Sequence, residues 1–150
     1  MTNCQQQSSF SIPIKSAEER AFLHNMYRRA EVALDYDRDE VGGNAPAPDA
    51  PSEFEAEASN SWGWHMNDSE MAVHFFAEES GNVEAMVLGL QEFLAKFRGP
   101  KDVLRFCWAN TCSRPVTDSF DGGGVAFTAT ESKWINVASV VDEIAEEMSR

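Results

Sequence analysis

The chain has 150 residues, enough for one domain with its own core, and 43% of them are hydrophobic, which suits a globular protein. Its formal net charge of −13, from 25 acids against 12 bases, argues against direct binding to nucleic acid. No apolar run is long enough to span a membrane, and the N-terminus lacks the basic and apolar regions of a signal peptide, so a cytoplasmic location is expected.

In chain order, "FSIPI" (10–14) reads as a short strand, with Pro13 favouring an edge. Ser16 and Glu19 have capping-box spacing. The helix behind them runs over about 17–34, with Leu23, Met26, Tyr27, Ala30 and Leu34 at helical intervals. Residues 35–60 read as an acidic flexible loop inside a single domain spanning 1–150, since Gly42, Gly43, Pro46, Pro48 and Pro51 oppose regular structure. Residues 35–57 hold eight acids and one arginine, more than half of the chain's excess negative charge. "DYDRDE" (35–40) starts like a calcium loop, but Glu40 and Pro46 stand where that loop needs glycine and glutamate.

Two strands follow at about 61–67 and 70–78, joined by a tight turn centred on Asp68 and Ser69. That turn pairs Trp64 with Val73 and His65 with Ala72. It gives a core face of Trp62, Trp64, Met66, Met71, Val73 and Phe75, leaving His65, His74 and Phe76 on the other. A second helix starts at an Asn82 N-cap, with a stripe of Val83, Met86, Val87, Leu90, Phe93, Leu94 and Phe97. Gly89 within it points to close backbone packing. Strands at 102–112 and 124–130 follow. A last helix from Asn136 has a stripe of Val137, Val140, Val141, Ile144 and Met148, expected to be buried.

The resulting order is β-α-β-β-α-β-β-α. It predicts an α+β fold: a mainly antiparallel five-stranded sheet with three helices packed on one face, ferredoxin-like in its first six elements. The second sheet face is expected to be open or partnered.

Strand phase puts His65, His74, Phe76, Arg105 and Cys107 on that open face, with Thr128 and Thr130. His65 and His74 fall diagonally on adjacent strands, with Cys107 the conceivable third metal ligand or a nucleophile beside a histidine. Ordinary sheets expose such residues too, and neither a metal nor a cofactor is expected. A contact surface for a protein partner, or for a second copy in a homodimer, fits the mixture better.

"TCSRPVTDSFDGGGVAFTAT" (111–130) contains a long connection, from Ser113 into three glycines. Arg114 with the amides of Gly122, Gly123 and Gly124 is a candidate anion cradle. Phosphate loops, however, run from glycines into a helix, and these run into a strand. Asp35, Asp37, Asp39, Glu40, Glu53, Glu55 and Glu57 form the candidate acidic contact. Cys4, Cys107 and Cys112 make an odd count, which favours free thiols.

The strings "EESGNVEAMVLGLQEFLAKF" (78–97) and "TCSRPVTDSFDGGGVAFTAT" resemble small uncharacterised proteins encoded by bacteria and their phages, over roughly 61–136. The resemblance implies no activity and no catalytic residue, but it favours a host-directed binding protein. The leading expectation is a non-enzymatic protein-binding module, a phage or mobile-element inhibitor of a host protein, working through the acidic surface and the open sheet face. The alternative is a small enzyme or ligand-binding protein with its site at that face and the 113–124 loop.

Overall fold

A computed structural model describes residues 4–38, 52–112 and 121–150. Its elements are β1 (Cys4–Pro13), α1 (Ala17–Arg38), α2 (Glu53–Ala58), β2 (His65–Asp68), β3 (Ala72–Ala77), α3 (Val83–Phe97), β4 (Leu104–Cys112), β5 (Asp121–Phe127), β6 (Ser132–Asn136) and α4 (Val137–Met148). The strands form one sheet in the order β2-β3-β1-β4-β5-β6, every neighbouring pair antiparallel.

Six strands and four helices among the described residues replace the expected five and three. The ferredoxin-like description is corrected with them. An extra helix stands between α1 and β2, and the sheet runs on past β4 through two strands rather than one.

The extra helix is α2, in the stretch expected to be a loop. Ser52 caps it by accepting from the Glu55 amide at 3.2 Å. Phe54 and Ala58 are its buried anchors. The Arg29 guanidinium lies over the Phe54 ring at 5.1 Å and pairs with Glu55 at 2.8 Å, which ties α2 to α1. Residues 35–38 continue α1, and 39–51 lie outside the described residues. The extra strand is β6, whose five residues pair with β5.

α1 begins at its capping box. Ser16 Oγ accepts from the Glu19 amide at 3.2 Å, and Glu19 Oε1 accepts from the Lys15 amide at 3.0 Å. Leu23, Met26 and Ala30 face inward, fully buried. α3 begins at Asn82, whose side chain accepts from the Ala85 amide at 3.1 Å, and it buries Met86, Val87, Leu90, Phe93 and Leu94. α1, α2 and α3 pack on one another over one sheet face. Between them and the sheet, Phe10 stacks on Phe106 at 4.6 Å, and Trp64 meets both rings edge-on. The Trp64 indole donates to the Asn82 carbonyl at 3.0 Å.

α4 departs from the expected three-helix layer. It packs chiefly beside β5 and β6 and buries none of its residues. Its stripe, expected in the core, stays exposed: Val141 by 56%, Ile144 by 50% and Met148 by 81%.

The β2–β3 hairpin pairs His65 with Phe76 and Asp68 with Val73, a register four residues from the expected one. The turn is wider because Ser69 closes it, with its amide and hydroxyl both on the Ala72 carbonyl at 2.9 and 3.1 Å. The shift is even, so each residue keeps its face. Met71 falls in this turn and is exposed, contrary to its expected place in the core.

Candidate functional site: the open sheet face

The sheet face away from α1–α3 is built by alternation. β2 and β3 contribute His65, His74 and Phe76. β4 contributes Arg105 and Cys107, and β6 contributes Lys133 and Ile135. None of the described strand residues on this face is a carboxylate. In a chain of net charge −13, that segregation follows from strand phase: Asp68, on the other phase of β2, turns toward α1 to meet Arg20 and His24.

The two histidines remain diagonal neighbours, but each is engaged separately. His65 stacks on Phe76, with ring centroids 5.2 Å apart. His74 bonds through Nδ1 to the Ser11 hydroxyl and through Nε2 to the Ser69 hydroxyl. Cys107 is two strands away from His74, because β1 lies between β3 and β4. Strand spacing alone separates them by roughly 10 Å, too far for a direct Cys–His bond. Among the described residues no group of three or more histidines, cysteines or acids is placed to hold a metal ion.

The glycine triplet stands inside β5 rather than in a loop. Gly122 is opposite Ala109, Gly123 is between Trp108 and Asn136, and Gly124 is between Cys107 and Ile135. A Cβ on Gly123 would lie 2.4 Å from the Trp108 ring, and one on Gly122 2.5 Å from the Trp108 carbonyl oxygen. Close strand packing accounts for these two glycines. Arg114, the cationic half of the expected cradle, lies outside the described residues.

Small residues on β5 hollow the face. Gly124 and Ala126 floor a groove of about 250 Å³, walled by Arg105 and Cys107 on β4 and by Lys133 and Ile135 on β6. Arg105 and Lys133 flank Ala126 in one cross-strand row. Neither cation makes an ion pair among the described residues. The groove is therefore apolar at its floor, with two cations along one row that are unpaired among the described residues.

The acidic candidates lie elsewhere. Asp35 and Asp37 are on α1, while Asp39 and Glu40 fall outside the described residues. Glu53, Glu55 and Glu57 are on α2, across the helix layer from the open face. Glu55 is committed to Arg29, and Glu57 Oε1 accepts from Asn82 Nδ2 at 3.2 Å. The acidic and open-face candidates thus do not form one site. Lys133 and Ile135 are absent from the expected open face, because polar and apolar residues do not alternate across residues 132–136 and no period-two signal marks the strand.

A second hollow of about 280 Å³ lies between α2 and α3, over Phe54 and Leu88. Of its polar residues, Glu92 reaches Arg29 at 3.5 Å and Gln91 donates to the Thr128 carbonyl at 3.1 Å.

Compared with protein-family models, curated proteins and solved structures, the chain has no match. No helix among the described residues is long and apolar enough to cross a membrane.

Proposed function

We propose that this chain is a non-enzymatic protein-binding module that engages its partner through the open sheet face. The observation that carries the reading is that face itself: open among the described residues, free of carboxylates on its described strands, and mixing Phe76 and Ile135 with Arg105 and Lys133. Apolar area ringed by unpaired polar groups is what a protein interface uses. The expected resemblance of residues 78–97 and 111–130 to bacterial and phage-encoded proteins favours a host protein as the target. The exposed acids of α1 and α2 add a second, electrostatic surface on the opposite side.

The test is affinity capture from bacterial lysate with the full chain at two salt concentrations, run beside two variants. Phe76→Asp with Arg105→Glu alters the open face, and Glu53→Lys with Asp35→Lys alters the helix layer. The proposal expects a stoichiometric partner lost with the first pair. Retention by the first pair and loss by the second would move the interface to the acidic helices. A captured protein that both pairs retain would remove both surfaces from the reading.

A further inference from the structure

α4 is an amphipathic helix whose apolar side is largely uncovered among the described residues: Val140 is half-buried, and the rest of the stripe is exposed. Of the nine large hydrophobic residues exposed in the described chain, six fall after residue 131: Trp134, Ile135, Val137, Val141, Ile144 and Met148. A stripe at this spacing ordinarily faces a core. Its polar side carries Asp142, Glu143, Glu146 and Glu147 and no base. At 100° per residue, Glu143 and Glu147 flank the stripe on one side, while Ala138 and Ala145 flank it on the other.

The groove on the open face has the opposite character. Its floor is apolar, and the two cations in its walls, Arg105 and Lys133, lack carboxylate partners among the described residues. The chain thus carries both halves of a complementary pair, and its own geometry keeps them apart. Asn136 is at once the last residue of β6 and the N-cap of α4, so no linker exists to fold the helix back over its own sheet.

We infer that α4 of a second copy lies in the groove between β4 and β6, with its apolar stripe on Gly124, Ala126 and Ile135. Glu143 and Glu147 of that copy meet Arg105 and Lys133. A two-fold axis makes the exchange reciprocal, so both grooves are filled and the assembly closes as a dimer. This inference rests on the reading of the open face as a protein-docking surface and names its occupant at the β4–β6 end.

The experiment is sedimentation or light scattering on the full chain and on two charge-reversed forms at exposed positions. One is Arg105→Glu with Lys133→Glu, and the other is Glu143→Lys with Glu147→Lys. The wild-type chain is expected at twice its 16.7 kDa. Each variant alone sets like charge against like, so its dissociation constant rises at least about tenfold. Mixing the two restores opposite charges at both contacts and returns the dimer, a recovery that an unfolded variant does not give. Val141→Asp with Ile144→Asp is expected to be monomeric with an unchanged helical circular dichroism spectrum.

A wild-type chain that stays monomeric overturns the inference. So does a dimer that survives Arg105→Glu with Lys133→Glu, or a mixture that fails to reassociate. A monomer whose captured partner is still lost with Phe76→Asp and Arg105→Glu overturns this inference alone and leaves the proposed function standing.

Discussion

The indole of Trp108 lies across Gly123 of the neighbouring strand, so closely that a Cβ there would stand 2.4 Å from the ring and 2.8 Å from the Ile135 carbonyl oxygen. The aromatic plane covers backbone that no side chain protects. At Gly124 the nearest obstacle is Cys107 Sγ, at 3.3 Å. Gly123→Ala is therefore expected to cost about 1–3 kcal/mol through forced displacement of the ring, and Gly124→Ala less. Urea midpoints check the order, and Trp108 should change its near-ultraviolet circular dichroism in the first variant only. Equal midpoints would mean that the strands separate without strain.

Glu19 and Arg98 form the most buried ion pair among the described residues, with side chains 5% and 11% exposed and a separation of 2.9 Å. Arg98 also donates to the Pro13 carbonyl at 3.0 Å and lies over the Phe93 ring. Glu19→Ala strands a buried guanidinium and removes the acceptor for the Lys15 amide. The expected loss is about 3–5 kcal/mol. Glu19→Leu with Arg98→Met together should cost less than Glu19→Ala alone, because no buried charge is left behind. Denaturant unfolding of the three variants decides it. A double variant as unstable as Glu19→Ala would locate the loss in the Lys15 and Pro13 contacts.

Gly89 stands where α1, α2 and α3 meet, and a Cβ there would lie 2.6 Å from Met26 Sδ and 3.0 Å from the Phe54 ring. In an exposed helix, Gly→Ala gains about 1 kcal/mol of propensity. Here the substitution is expected to lower the thermal midpoint, since the methyl group pries α2 off α3. A raised midpoint would show that Met26 yields freely.

Tyr27 has its pKa raised above the ordinary 10.0, first by burial and then by the Glu31 carboxylate, through its charge and its hydrogen bond. The folded state holds this phenolic proton more tightly than the unfolded state. Its contribution to stability is fully present below pH 10.0 and is lost as the pH rises through the raised value. Tyr27→Phe should flatten the alkaline limb of a stability–pH curve without changing its acid limb. An unchanged alkaline limb would assign that loss of stability to other groups.

Periodicity exposed α1 and α3, whose stripes are long and capped at Ser16 and Asn82, and alternation placed His65, His74, Phe76, Arg105 and Cys107 on one face. The hairpin register differs from the expected one by four residues, and an even shift leaves parity intact. α2 escaped notice because Pro46, Pro48 and Pro51 dominate its surroundings. Yet Ser52 and Glu55 repeat the spacing of Ser16 and Glu19, and that signal marks its start. β6 has five residues, too few for alternation to stand out beside a helix. The groove was invisible for a different reason: it needs the order β4-β5-β6, and local pattern carries no strand order. The stripe of α4 was legible, but a stripe reveals nothing of what lies against it.

β1 begins the described chain and sits inside the sheet, where it pairs Ser8 with Ala77 on one side and Gln5 with Thr111 on the other. Both seams join residues far apart in sequence, so they close only after long stretches of chain have been brought together. Such pairing slows folding, since loop-closure entropy is lost before the ladder forms. β1 is therefore the keystone of the folding kinetics. Without β1, the β2–β3 hairpin and the β4–β5–β6 meander share no described ladder, so its two seams are what make them one sheet.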